Sequence, residues 1–364
     1  MGRDEAAVRG TAVPAGRDRE PREPRKQAGH AKPLAVAAAG LGFVVAVLVS
    51  TVLSVSGTHA DGRTAAARHA LSGDRTTRAA APGAENCADG EDPARSLKPS
   101  SDAGPAVERI EDRGRLVVGV DQNSYLWGYR DPSTGEIDGF DIDLVRAIAK
   151  DLLGKNPEIT YKTVPTDQRI PAVRKGEVDM VVRTMTVNCE RIEEVAFSAP
   201  YFEAGQQLLV PKRDARVTGF DGSMRGKRLC YAEGSTAQTL MAMGEYRKLG
   251  ARPVVVANQL DCLVRLQIGR ADATLTDSAL GAGQAAQDPS VELIGEPVTA
   301  EPYGVAMNLD DEDLVRRVNS VLDDYRKGGD DSPWRTSYDK WLADDIMGTD
   351  DGREPSPPKP KYRD

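Results

Sequence analysis

Two consecutive runs of the same strand and helix pattern constrain this chain most. In the first, 115–120 (RLVVGV) reads as a buried strand. Residues 139–153 (GFDIDLVRAIAKDLL) read as an amphipathic helix, because Leu144, Ile148 and Leu152 recur at helical spacing. A strand at 159–164, a short helix at 169–175 and a strand at 178–182 complete the run. The second run has a strand at 227–231, a helix opened by Gly234-Ser235-Thr236 and reaching residue 249, and a strand at 253–256. It ends in a helix at 261–267 capped by Asp261 and a strand at 273–275. Each β-α-β-α-β order implies a parallel sheet with helices on its faces. Residues 206–210 leave the first lobe, 291–294 and 304–307 return toward it, and helices at 310–325 and 334–342 close it. The expectation is an α/β chain of two lobes, the second inserted into the first.

The residue inventory excludes several chemistries. The chain has 364 residues and a net charge of -8, which argues against nucleic acid as a partner. All three histidines, His30, His59 and His69, precede the expected fold, so no histidine base or histidine metal site sits within it. Serine-hydrolase, zinc-protease, phosphate-loop and dinucleotide-binding motifs are absent. No cofactor is expected.

Residues 34–55 (LAVAAAGLGFVVAVLVSTVLSV) are apolar and long enough to cross a hydrocarbon core of about 20 residues. Arg25, Lys26 and Lys32 precede them, which orients the N-terminus to the cytoplasm and residues after 56 outside. The expectation is a transmembrane signal anchor; cleavage after Thr58-His59-Ala60 is the alternative. Residues 1–33 and the 346–364 tail, with PSPPKPK, read as disordered, and 56–106 reads as a linker.

The run 181–201, VVRTMTVNCERIEEVAFSAPY, carries the functional signal. Thr184, Thr186 and Asn188 alternate along an extended segment and share a face. Arg191 follows a turn later and can fork two hydrogen bonds onto a carboxylate. This run resembles the signature of the bacterial extracellular solute-binding proteins of family 3, receptors for polar amino acids. The resemblance covers about residues 107–345. It implies a two-lobed type II periplasmic-binding-protein fold, with lobe 1 at 107–208 and 302–345, lobe 2 at 209–301, and an interlobe ligand cleft.

The resemblance also implies roles for residues. Arg191, with Thr186 and Thr184, would hold an α-carboxylate. Gly234, Ser235 and Thr236 match the family's turn before a helix. Asp277 matches the acid that receives the α-ammonium, the other reading being a helix N-cap. Tyr125 and Trp127 lie where the family places aromatic walls, although Leu126-Trp127 departs from its usual Pro-Phe. Arg183 emerges from an apolar strand, and an unpaired charge there is costly. It reads either as a partner for a ligand side-chain carboxylate or carboxamide oxygen, assisted by Arg169, or as half of an ion pair with Asp167 or Asp141. In the first case glutamate or aspartate would outrank neutral amino acids.

Cys87, Cys189, Cys230 and Cys262 are an even set without metal-ligand spacing, consistent with disulfides outside the cell. Three pairings exist. Lobe assignment puts Cys230 with Cys262 and leaves Cys87 for Cys189. The expected partners are an amino acid, the membrane through the N-terminal helix, and an ABC permease. A receptor reporting to a membrane signalling protein is the alternative, and an enzyme on the same fold ranks below both.

Overall fold

The computed structural model describes residues 86–88, 90–346 and 356–363. The 34–55 segment and the three histidines lie outside the described residues. Among the described residues no helix is long and apolar enough to cross a membrane.

The first lobe is built on a five-stranded sheet. Arg115–Val120 sits between Glu158–Thr163 and Met180–Val181, all parallel. Ala306–Met307 and then Ala196–Phe197 extend the sheet by antiparallel pairing. Val118, Val120 and Met180 are fully buried, and the Phe140–Leu153 helix lays Leu144, Val145 and Ile148 against this core. Its N-terminus follows Gly139 at φ 135, where a Cβ would collide with the Trp127 carbonyl at 2.3 Å. Helices Glu312–Arg326 and Pro333–Trp341 close the lobe.

The second lobe repeats the plan, with strands in the order Arg252–Val256, Arg228–Ala232, Ala273–Asp277, Gln206–Pro211 and Val291–Ile294. The first three are parallel, and Gln206–Pro211 pairs antiparallel with both of its neighbours. Gln206–Pro211 therefore lies wholly in the second lobe, although the expected boundary placed its first residues in lobe 1. The chain crosses between lobes at a short antiparallel ladder, Phe202–Ala204 with Glu301–Tyr303.

Local differences have local causes. The helix expected to run to residue 249 breaks into Thr236–Ala242 and Gly244–Arg247, because Met243 is extended (φ -65, ψ 145) just before a glycine. The helix expected to start at Asp261 spans Gln259–Gln267, which places Asp261 in its first turn rather than at its cap.

The flanking segments also differ from expectation. Arg95–Leu97, within the expected linker, pairs in parallel with Lys361–Arg363, within the expected disordered tail. Lys361 Nζ donates to Asp92 Oδ2 at 2.6 Å, and the Tyr362 hydroxyl donates to Asp323 Oδ1 at 2.6 Å. Leu97 is buried in the first lobe's core. Composition marked the first segment as rich in Ala, Gly, Ser and Pro and the tail as proline-rich, but strand pairing, these hydrogen bonds and the buried Leu97 seat them. Both disulfides form as expected from lobe assignment: Cys87–Cys189 and Cys230–Cys262.

Candidate functional site

The two lobes face each other across a tight space with a free interior volume of about 30 Å³. Carboxyl-end loops of both sheets line it, the usual position for ligands on parallel sheets. Of the expected residues, Arg169, Arg183, Thr184, Thr186, Arg191, Ser235, Thr236 and Asp277 line this space.

Arg191 is buried and sits on the one-turn helix Cys189–Ile192. Asn188 caps that turn by accepting the Arg191 backbone N–H at 2.9 Å. The guanidinium donates from Nη1 to the Thr186 carbonyl at 2.8 Å and from Nη2 to the Gly234 carbonyl of the other lobe at 3.1 Å. The surface pairing with Glu193 or Glu194 that a common arginine would make does not form: Glu194 pairs with Arg174 at 2.7 Å. Arg169 also reaches across, from Nη2 to the Gly234 carbonyl at 3.3 Å, while its Nε donates to the Thr166 carbonyl at 2.8 Å. Gly234 thus enters the site through its backbone oxygen.

Arg183 is 4 % exposed. Its ion-pair partner is Asp121, at 2.9 Å, rather than Asp167 or Asp141. Nη1 donates to Thr166 Oγ1 at 3.1 Å. Nη2 touches Asp121 without hydrogen-bond alignment, and neither Nη2 nor Nε has a hydrogen-bond partner. Asp121 is held rigidly: Oδ1 accepts the backbone N–H groups of Gln122 and Asn123, and Oδ2 accepts the Ser124 hydroxyl at 2.7 Å. Burial, then the charges of Arg191 and Arg183, depress the Arg169 pKa. The cluster is a local concentration of positive charge in a chain of negative net charge.

Asp277 follows its strand into the N-cap position of the Ser278–Gln287 helix, but its side chain makes no cap bond. Instead Oδ2 accepts the Tyr303 hydroxyl at 2.7 Å, and Oδ1 accepts Gln206 Nε2. Gln206 Nε2 also donates to Thr236 Oγ1 at 2.9 Å, while Ser235 caps its helix by accepting Gln238 N–H at 3.3 Å. Burial, reinforced by the charge of nearby Glu301, pushes the Asp277 carboxyl up to about 7. Asp141 is likewise raised to about 7 by burial. It accepts the Tyr201 hydroxyl at 2.7 Å and the Thr184 N–H at 3.0 Å. The second bond fixes Thr184 at φ 40, a conformation a β-branched residue rarely adopts and one that clusters at binding sites.

The aromatic wall is absent from this space. Trp127 is fully buried among Phe140, Phe202 and Tyr303. Its Nε1 donates to the Ala279 carbonyl of the second lobe at 3.2 Å, so it joins lobes instead of covering a ligand. Tyr125 stacks edge-on against Tyr129. Leu126, the residue before Trp127, takes φ 71. Sequence reasoning missed Asp121, Ser124, Thr166, Gln259 and Thr276 as lining residues. Asp121 had a signal, an acid directly after a buried parallel strand. Thr166 had none.

The profile of the bacterial extracellular solute-binding proteins, family 3, matches residues 116–344. The chain belongs to this family. It is 35 % identical over 236 residues to the ABC transporter glutamine-binding protein GlnH of Bacillus subtilis (strain 168), covering 65 % of this chain and 84 % of that protein. It is 28 % identical over 252 residues to the glutamate/aspartate import solute-binding protein of Salmonella typhimurium, covering 67 % and 82 %. Among solved structures, an ancestral arginine-binding protein bound to glutamine is similar, with TM-score 0.57 and 33 % identity, covering 63 % of this chain and 98 % of that one. The protein is therefore a solute-binding receptor.

Proposed function

We propose that the protein is an extracytoplasmic receptor for an α-amino acid with a glutamate- or glutamine-type side chain, the carboxamide preferred, and that it hands this ligand to the permease of an ABC importer. The observation that carries the reading is a buried guanidinium, Arg191, and a buried carboxylate, Asp277, facing one cleft. They complement the two ends of a zwitterion, and an ammonium taken out of water needs such an anion. Binding involves no covalent step in this reading.

The side-chain preference follows from the Arg183–Asp121 pair. Arg183 offers buried donors without hydrogen-bond partners beside an acceptor carboxylate. A carboxamide presents an oxygen to the first and an N–H to the second. A carboxylate meets Arg183 favourably but Asp121 unfavourably. The names of the relatives, glutamine-binding and glutamate/aspartate import, agree with this class.

Calorimetry with glutamine, glutamate, asparagine, aspartate and arginine tests it. Glutamine binds most tightly, and Asp121→Ala narrows the gap to glutamate by about tenfold. Tightest binding of arginine, or a gap unchanged by Asp121→Ala, refutes the side-chain reading. The apolar 34–55 segment and its basic flank support a single-pass membrane anchor. Full-length protein should then stay with membranes after washing in high salt, and recovery of a soluble form beginning at Asp61 overturns the anchor.

A further inference from the structure

The residues upstream of the family match hold the outside of the ligand site. Strand Arg95–Leu97 is fastened to lobe 1 from several sides. Ser96 Oγ donates to the Phe197 carbonyl at 2.7 Å, and Asn319 Nδ2 donates to Ser96 Oγ at 2.8 Å and to the Leu97 carbonyl at 2.7 Å. Eight residues before that strand, Cys87 is bonded to Cys189, with Cα atoms 5.4 Å apart.

Cys189 is the first residue of the four-residue helix that carries Arg191. One helical turn has almost no stability of its own, because nucleation costs more than its few hydrogen bonds return. The placement of Arg191 thus depends on external ties. Inside the cleft these are the Asn188 cap and the guanidinium bonds to the Thr186 and Gly234 carbonyls. Outside, the disulfide is the covalent tie.

We propose that the Cys87–Cys189 disulfide is a positioning element for Arg191: it pins the one-turn helix from outside, so that opening it weakens every α-amino-acid ligand by a similar factor. The proposal rests on the reading that Arg191 holds the α-carboxylate. The other disulfide offers a contrast within the same chain. Cys230 and Cys262 are fully buried in the second lobe's core, whereas Cys87 and Cys189 are both partly exposed. An external dithiol can therefore reach the first pair and not the second. The exchange leaves two protein thiols and the oxidised dithiol, with two electrons and two protons moving to the protein.

The test is a double-mutant cycle read by calorimetry with L-glutamine and L-glutamate. Cys87→Ser with Cys189→Ser should weaken both ligands about tenfold, with their ratio unchanged. In an Arg191→Lys background the same pair of substitutions should cost less than about twofold, because the residue it positions is already impaired. Equal losses in both backgrounds show a general structural role and overturn the proposal, as does unchanged affinity. Should Arg191→Lys itself leave binding intact, the carboxylate reading fails first and the proposal with it. If the serine variant does not fold, wild-type protein treated with dithiothreitol, with Cys230–Cys262 confirmed intact by peptide mapping, gives the same readout. Affinity unchanged after selective opening refutes the proposal.

Discussion

At the scale of single residues, burial decides which groups carry function. Asp277 and Asp141 both titrate near 7 because each carboxylate is removed from water. For an acid this shift means that the folded chain holds its proton more tightly than the unfolded one. Each group therefore costs stability as pH rises from the ordinary value of 3.8 toward 7, and the cost is constant above that. In the proposed binding mode, the ligand reverses the sign at Asp277. An arriving ammonium favours the charged carboxylate, so binding expels a proton below about pH 7, and affinity rises with pH up to that point. The slope is at most about tenfold per pH unit below the raised pKa. Calorimetry at pH 6 in buffers of different ionisation enthalpy reads this as proton release. Proton uptake, or no exchange, would show that Asp277 does not receive the ammonium.

At the scale of elements, the sequence told the regular parts plainly and the irregular parts poorly. The strands Arg115–Val120 and Val291–Ile294 stand where alternation and apolar runs put them. The Phe140–Leu153 helix follows its heptad-like spacing to within a residue. Periodicity has no purchase on three-residue strands, and the pairing of Arg95–Leu97 with Lys361–Arg363 is a contact across most of the chain. The site shows the same division. Arg191 and Asp277 stand in motifs, so their types and spacing announced them. The partner of Arg183 was not legible, because Asp121 lies 62 residues upstream, just past the end of the neighbouring strand, and only the parallel pairing of the two strands brings them together. Trp127 misled because an aromatic residue in a loop reads the same whether it walls a cleft or packs in a core, and here it packs among Phe140, Phe202 and Tyr303.

At the scale of the whole molecule, the lobes meet through backbone as much as through side chains. Arg169 and Arg191 of the first lobe converge on one acceptor in the second, the Gly234 carbonyl. Thr166 N–H donates to the Ala257 carbonyl at 3.4 Å beside them. Gly234 is suited to this junction twice over. Its φ of 68 lies in the left-handed region, and a Cβ there would stand 2.8 Å from the Asp167 Cα. That clash is with main chain, which cannot swing away as a flexible side chain would. Gly234→Ala should therefore leave each lobe folded while holding the lobes apart. The left-handed angle alone costs about 1–2 kcal/mol for a residue with a Cβ, about five- to thirtyfold in affinity if it is charged to the closed form. Small-angle scattering with saturating glutamine should show a larger radius of gyration for the variant than for the wild type, and calorimetry a weaker ligand. A variant that binds glutamine as tightly and compacts as fully as the wild type would mean that closure tolerates a side chain at this junction. The two arginines would then be held by something other than the close approach of Gly234 to Asp167.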